Sequence, residues 1–298
     1  MIGAIIGDIC GSVYEFRNCK EYDKIELFKD GCCVTDDSVM TVAVAAALMD
    51  ADEQCEREPF DSWLACFEEL VVKYMRYYGA MYPDAGYGGR FFNWLFVPDP
   101  HPYYSFGNGS AMRVSSVGWA FDSLEMTLAA AESSARVTHN HPEGIKGAKA
   151  VAGAIYMART GGSKEDIRKF VEGLGYDLNF TVDGIRPGYR HDESCQNSVP
   201  QAIRCFLEST DFEQCIRLTL SLGGDCDTTA AMSGAIAEAY YGAHDADSPA
   251  ARSGANIETR CGIPSCMMHR ALDIIPEPLL AQYTRFISQY QPERLAKA

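Results

Sequence analysis

The sequence predicts an all-α protein with one domain, and three observations lead to this prediction. Segments with helical periodicity follow one another along most of the 298 residues. No internal repeat and no linker rich in proline, glycine or serine divides the chain, so residues 1–298 are predicted to form a single domain. Two acidic motifs lie far apart in the sequence, each at the start of a predicted helix. One helical bundle is the simplest fold that accommodates these features.

The first predicted helix begins near Gly3 and carries glycines at positions four residues apart, Gly3, Gly7 and Gly11. Because such positions share one helix face, this stripe predicts close packing of another backbone. Asp8 and Glu15 are seven residues apart and are predicted to share a face of the same helix. From the residues alone, Glu15 is either a functional acid or a solvated acid at a helix end.

A polar segment over residues 17–34, in which 25–28 is compatible with a short strand, leads to the first acidic motif, Thr35-Asp36-Asp37-Ser38. The helix that follows, up to residue 49, is apolar on nearly every side, which is typical of a helix in the middle of a bundle. Asp36 and Asp37 therefore lie at the mouth of a core helix. Burial of a carboxylate there is costly unless it has a partner or a metal ion.

An amphipathic helix is predicted over residues 59–78, and after it the periodicity disappears until residue 110. Glycine, proline and aromatic residues dominate this stretch, and a loop of such length usually has a function. It ends in a glycine-rich turn whose amides are suited to phosphate groups, although an ordinary tight turn fits the same residues. The turn reads Gly107-Asn108-Gly109-Ser110-Ala111-Met112-Arg113.

Helical patterns return at residues 124–137 and 145–159, separated by Thr138-His139-Asn140-His141. The two histidines are candidates for metal ligation, for a hydrogen bond to a ligand, or for a capping or core role, and the pattern leaves these open. Ser163 opens a short helix as part of a capping box. Residues 175–198 are irregular, and further helices are predicted at 199–208 and 212–222 and in a final segment that ends near residue 290.

The second acidic motif, Gly223-Gly224-Asp225-Cys226-Asp227-Thr228, opens a helix of small residues that runs to residue 242. Asp227 or Thr228 is suited to capping that helix, since the first amides and the helix dipole favour anions. However, this is the second motif of the same design. Four carboxylates with flanking threonines on two helix starts indicate an all-oxygen site for hard divalent cations.

Composition and charge exclude several classes of protein. The net charge of -15 argues against a nucleic-acid-binding surface, which needs clustered lysine and arginine. The twelve cysteines are scattered, with no C-x-x-C pair and no signal peptide at the start, so we expect reduced thiols in a cytoplasmic protein. The longest apolar run, residues 39–49, is too short to span a membrane.

Taken in order, Gly7-Asp8 with Glu15, the two acidic motifs, the glycine-rich turn and Thr138-His139 resemble the ADP-ribosylglycohydrolase family. The resemblance extends from residue 3 to about residue 242. It implies an orthogonal helical bundle with two magnesium ions, or manganese, at the base of an ADP-ribose cleft. Two positions depart from the family pattern. Ser38 stands where threonine is commoner, and Cys226 stands where threonine or serine is commoner. Neither position is assigned to metal binding.

The resemblance also implies a role for each motif. Asp37, Gly107, Asn108, Gly109, Ser110, Ala111, Met112, Arg113 and His139 are expected to contact the substrate. The expected metal ligands are Glu15, Thr35, Asp36, Asp37, Asp225, Asp227 and Thr228, with Glu15 as a mobile ligand. Glu15, Asp37 and Asp225 are the candidate catalytic acids and bases.

The implied reaction is hydrolysis of the bond between ADP-ribose and an acceptor, which is a modified protein or a small-molecule conjugate. Such cleavage passes through an oxocarbenium-like state, and a metal pair can hold the ribose hydroxyls and activate water. Two alternatives remain open: a non-catalytic ADP-ribose-binding or structural member of the fold, and a two-metal nucleotide phosphohydrolase. The intact acidic set argues against the first, because buried charges are expensive without metal.

Overall fold

The computed structural model describes residues 1–244 and 262–291, which form α-helices joined by loops and one 3-10 helix (Tyr22–Lys24). No strand occurs among these residues, so the all-α prediction is confirmed. In chain order the helices are α1 (Ile2–Gly11), α2 (Asp36–Gln54), α3 (Phe60–Met81), α4 (Gly89–Phe96), α5 (Gly109–Met112), α6 (Val117–Ala120), α7 (Leu124–Arg136), α8 (Pro142–Arg159), α9 (Lys164–Gly173), α10 (Val182–Ile185), α11 (Cys195–Glu208), α12 (Phe212–Leu222), α13 (Cys226–His244), α14 (Ser265–Ile274) and α15 (Glu277–Tyr290).

Several predicted elements need correction. The expected strand at residues 25–28 is irregular, because Ile25 and Phe28 are buried against the helical core without a partner strand. The long loop after α3 contains α4, and the irregular segment 175–198 contains α10 and the first turn of α11. The final helical segment is two helices, α14 and α15. Residues 245–261 lie outside the described part of the chain, as do 292–298.

The centre of the bundle is formed by α13, which packs against α1, α8, α11 and α12. All ten residues of α1 are buried, and α2 is buried on almost every side, as its sequence predicts. Such helices carry no polar face because other helices surround them. The apolar residues of the bundle form one continuous core, with a small satellite cluster between α10, α11 and α12.

The glycine stripe of α1 lies directly on α13. A Cβ atom on Gly3 would overlap Gly234, and one on Gly7 would overlap the carbonyl of Ala230. At the end of the stripe, a Cβ on Gly11 would overlap the backbone of Asp227. The prediction of a closely packed backbone is confirmed, and its partner is the helix that begins with the second acidic motif.

The cysteines differ from the prediction at one place. A disulfide joins Cys55, just after α2, to Cys66 in α3, so these two thiols are not reduced. The other cysteines among the described residues are free. No described helix is both long enough and apolar enough to cross a membrane.

Candidate metal centre and ligand cleft

The first residues of α2 and α13 lie next to each other. The Thr228 hydroxyl at the start of α13 donates a hydrogen bond to Asp37 Oδ2 at the start of α2 (3.1 Å), across 191 sequence positions. Thr35 caps α2 through its side-chain oxygen. Gly223 and Gly224 both have positive φ, which lets the chain turn sharply from α12 into α13. The structure therefore brings the two acidic motifs together.

Five carboxylates meet at this point in two overlapping groups. Oxygens of Asp8, Asp37 and Asp227 lie within 4.8 Å of one another, and the same holds for Glu15, Asp225 and Asp227. Asp227 belongs to both groups, and all of these residues except Glu15 are buried. Asp36, at the first position of α2, lines the adjoining cleft. Oxygen-only ligands at this density match the preference of hard divalent cations.

Two of the buried carboxylate oxygens test whether a cation fits. Asp37 Oδ1 and Asp227 Oδ1 are buried and have no hydrogen-bond partner among the described residues. An unpartnered buried charge is strongly destabilising, and a cation between the two helix starts would remove that penalty for both oxygens. The donor set contains carboxylates and hydroxyls, which suit magnesium or manganese better than zinc.

Burial raises the pKa of every carboxyl group at the site. Burial is the main cause for Asp36, Asp37 and Asp227, whose pKa values lie well above the usual range, and the charges of neighbouring carboxylates add to it. For Asp225, burial again raises the pKa, although the Asn108 amide opposes the shift. Burial and then the charge of Asp225 raise the pKa of Glu15 to about 7. Without a counter-ion, these groups favour their protonated forms.

The cleft next to this cluster has a volume of about 430 Å³. Acidic residues of the cluster form one part of its wall, and the glycine-rich turn and His139 form another. The remaining wall comes from the segment around α4, with Phe16 and Glu193 also on the lining. Of the residues that the sequence singled out, Glu15, Asp36, Gly107, Asn108, Gly109, Met112, Arg113, His139, Asp225, Asp227 and Thr228 line the cleft.

The glycine-rich turn is tied to the acidic cluster through Asn108. Its side-chain Nδ2 donates to Asp225 Oδ2 (2.7 Å), and its backbone N–H donates to the carbonyl of Glu193 (2.7 Å). Gly107 forms an isolated antiparallel bridge with Ser194, just before α11. The turn is therefore held on one side by Asp225 of the acidic cluster and on the other by the segment that leads into α11.

The turn also packs closely against His139. A Cβ atom on Gly109 would lie 3.2 Å from His139 Nε2, and one on Gly107 would lie 3.4 Å from the same atom. Neither glycine is among the residues with positive φ, so close approach is the reason for glycine here. The Thr138 hydroxyl and His139 Nδ1 are hydrogen-bonded (2.7 Å), which fixes the ring in the cleft wall.

Some predicted site residues lie elsewhere. The buried Ser110 hydroxyl donates to the carbonyl of Gly144, and Ala111 is part of the core, so neither lines the cleft. Arg113 lines it but is almost fully buried, and its Nη2 donates to the Ser134 carbonyl and the Thr138 hydroxyl. Arg113 therefore connects the end of the turn to α7 and to Thr138 through its Nη2 atom.

One further expectation needs correction, and one open alternative is decided. Glu15 does not share a helix face with Asp8, because α1 ends at Gly11 and Glu15 lies in the turn that follows. Its carboxylate nevertheless reaches the acidic cluster. His141 caps α8 by accepting a hydrogen bond from the N–H of Glu143, which leaves His139 as the histidine of the cleft.

Several residues that the structure places at the site had no role assigned from the sequence. Asp8 has a carboxylate in the cluster, although only its place in the first motif marked it. Tyr87, Arg90 and Phe91 contribute to the cleft wall from the start of α4. The aromatic and glycine-rich composition of this segment indicated a functional loop, but composition alone does not identify the side chains that face a cleft.

Comparison with known proteins gives one consistent result. A model of the family described as ADP-ribosylglycohydrolase matches residues 1–248. ADP-ribosylhydrolase ARH3 of Bos taurus is 26% identical over 317 aligned positions, which cover 81% of this chain and 84% of the relative. A glycohydrolase of ADP-ribosyl-dinitrogen reductase from Rhodospirillum rubrum is 24% identical over 269 positions, covering 82% and 85%.

The fold agrees with these matches. A solved structure described as an ADP-ribosylglycohydrolase-related protein complex superposes with a TM-score of 0.67 and 20% identity. The superposition covers 97% of this chain and 96% of the other.

Proposed function

Because the chain belongs to the ADP-ribosylglycohydrolase family, we propose that it is a magnesium-dependent hydrolase that releases ADP-ribose from an ADP-ribosylated acceptor. The observation that carries this proposal is the unpartnered pair of buried oxygens, Asp37 Oδ1 and Asp227 Oδ1, beside a cleft walled by a glycine-rich turn. The acidic cluster that requires a cation thus lies next to a cleft that suits a phosphorylated ligand.

Two magnesium ions are proposed, with manganese as a substitute. The residues that would hold them are Glu15, Thr35, Asp36, Asp37, Asp225, Asp227 and Thr228. When bound, the ions supply Lewis-acid charge that orients the ribose hydroxyls and activates water. Asp225, which is bonded to Asn108 on one oxygen, is oriented toward the cluster by that contact.

The side chains around the cleft have separate tasks in the proposed reaction. The glycine-rich turn binds the phosphates with its backbone amides, and His139 contacts the ligand beside it. Glu15, Asp37 and Asp225 are the candidates for orienting the attacking water and moving its proton.

The acceptor is an ADP-ribosylated protein side chain or a small-molecule conjugate. It would leave from the mouth of the cleft, where Phe16 and Glu193 are exposed. Residues of segments 79–106 and 175–198 shape this region, so the linkage that is cleaved depends on them.

The test is a panel of ADP-ribose conjugates linked through arginine, serine, an acetyl ester and a nucleobase. Each is incubated with the protein in magnesium and in chelator, and the products are separated chromatographically. We expect free ADP-ribose from at least one conjugate, in magnesium only. AMP and a ribose phosphate would indicate a phosphohydrolase instead. Tight ADP-ribose binding without any turnover would indicate a non-catalytic member of the fold.

A further inference from the structure

The helix α1 touches both of the helix starts that carry the acidic motifs. Its glycine stripe lies against α13, and Gly11 at the end of the stripe meets the backbone of Asp227. One turn earlier, Asp8 lies at the other acidic motif and is completely buried. The position of α1 therefore sets how far α2 and α13 stand apart at the candidate metal centre.

Asp8 differs from the neighbouring aspartates in the hydrogen bonds that its carboxylate accepts. Its Oδ1 accepts a hydrogen bond from the Thr35 hydroxyl (2.6 Å). Its Oδ2 accepts from the backbone N–H of Thr35 (3.0 Å), the backbone N–H of Ser38 (3.1 Å) and the Ser38 hydroxyl. Both oxygens are thus engaged by α2, whereas Asp37 and Asp227 each keep a buried oxygen without a partner.

These contacts also orient Thr35. The Thr35 hydroxyl gives its hydrogen to Asp8 and accepts a long hydrogen bond from the N–H of Asp37 (3.4 Å), which leaves one lone pair of that oxygen for a cation. A hydroxyl held in this way can serve a cation as a neutral oxygen ligand. Hydrogen-bond acceptors behind a ligand orient it and tune its affinity for the metal.

We propose that Asp8 is a positioning residue of the metal centre, which anchors the start of α2 and orients the Thr35 hydroxyl without itself binding the ions. The inference rests on the metal site of the proposed function. It separates Asp8 from the other acids of the cluster, although distance alone groups it with Asp37 and Asp227.

The experiment is a titration of the full chain with Mn²⁺, followed by electron paramagnetic resonance, which reports both the number of bound ions and their dissociation constant. The variants are Asp8→Asn, Ser38→Ala and Ser38→Thr. Asp8→Asn replaces an acceptor oxygen with an N–H donor that faces donors. Ser38→Ala removes one of the four hydrogen bonds and disturbs the fold less, while Ser38→Thr keeps the hydroxyl. Ile5→Val, in the buried part of α1 away from the cluster, controls for loss of stability alone.

We expect Asp8→Asn to bind the same number of ions as the wild type, with a dissociation constant raised about 10- to 100-fold. Ser38→Ala should show a smaller rise, Ser38→Thr should restore wild-type affinity, and Ile5→Val should lower the melting temperature without changing Mn²⁺ affinity.

Three results would overturn the inference. Loss of one bound ion in Asp8→Asn, with normal affinity in Ser38→Ala, would make Asp8 a ligand. Wild-type affinity in both variants would remove its positioning role. If Asp8→Asn fails to fold, wild-type affinity in Ser38→Ala alone would be sufficient against the inference. Absence of Mn²⁺ binding by the wild type would instead refute the proposed metal site, and the inference with it.

Discussion

At the scale of single residues, the acidic cluster holds more negative charge than two helix N-termini can stabilise. A helix dipole and its first amides contribute about 1 kcal/mol to an adjacent anion, whereas an unpaired buried charge costs several. The raised pKa values of Asp36, Asp37 and Asp227 express this imbalance. A divalent cation bound between the two helix starts is the simplest way to balance this charge.

The first prediction concerns the proposed ligands. We expect Asp36→Asn and Asp227→Asn each to lower kcat by at least about 100-fold, equivalent to roughly 3 kcal/mol, because each removes a charge from an oxygen-only site. Each should also abolish the rise in melting temperature on adding magnesium. The measurements are initial rates and thermal melts with and without magnesium. Asp30→Asn, which removes an exposed charge, is the control, and near-normal activity in either site variant would contradict the assignment.

The second prediction concerns Glu15. It lies in a turn after α1 rather than on the helix, and it is only half-buried, so it is freer to move than the aspartates. Glu15→Ala should keep most of the metal affinity and equal or better ADP-ribose affinity, with kcat lowered about 100-fold if Glu15 positions water. Glu21→Ala, in the same loop and exposed, is the matched control. Normal kcat and normal affinity in Glu15→Ala would leave it as a solvated acid.

The third prediction concerns the glycine-rich turn. We expect Gly109→Val to weaken ADP-ribose binding by roughly tenfold, about 1.4 kcal/mol, because its side chain would press on His139. Isothermal titration with ADP-ribose measures the effect. Gly173→Val, at the end of α9 where a Cβ meets open space, is the control. A folded Gly109→Val protein with unchanged affinity would make the turn structural only.

A residue's place in the site can be predicted from the sequence when it depends on neighbouring residues in the chain. The positions of Asp36, Asp37, Asp225 and Asp227 next to one another were predictable, because both motifs place carboxylates at a helix start, where their burial is costly without a partner. Asp8 was not, because its role comes from hydrogen bonds to a helix about thirty residues away.

At the scale of elements, the glycine stripe shows what a sequence pattern can establish. Three glycines on one face predicted a close helix neighbour, and α1 packs on α13 as expected. The identity of that neighbour was not predictable, because α13 is more than two hundred residues further along the chain. Short elements were also missed. In α4, the eight residues make just over two turns, too few to reveal a period.

The stripe leads to a prediction for α1. We expect Gly7→Ala to lower the free energy of unfolding by about 1–3 kcal/mol, since its methyl group would overlap the Ala230 carbonyl and force the helices apart. Denaturant unfolding measures the loss. Gly173→Ala is the matched control, where the added methyl meets open space and should not destabilise the protein. Equal stability of the two variants would show that the α1–α13 contact tolerates expansion.

At the scale of the whole molecule, the raised pKa values link stability to pH. In the ion-free protein, Glu15 has a pKa of about 7 when folded, against 4.5 for an ordinary glutamate. Between these values the folded state binds more protons than the unfolded chain, so the free energy of unfolding falls as pH rises. The buried aspartates act in the same direction, and together they outnumber His139, whose pKa is lowered by burial and whose effect is opposite.

We therefore expect the melting temperature in chelator to decrease from pH 4.5 to 7 and beyond. Magnesium should reverse part of that loss, and its stabilising effect should grow with pH because ions and protons compete for the same oxygens. Thermal melts across this range, with chelator and with magnesium, measure both. A melting temperature in chelator that rises over this range would contradict the burial of uncompensated carboxylates.

The contact between α1 and α13 also has a consequence for the order in which the chain is made. The Gly3 N–H donates to the side chain of Glu238, which leaves the ribosome 235 residues later. Until then, α1 lacks its main packing partner, and long-range contacts of this kind slow folding and expose nascent chains to aggregation. The acidic cluster is complete only after residue 227 has been synthesised, so a chain that stops before this point lacks the site on which the proposed activity depends.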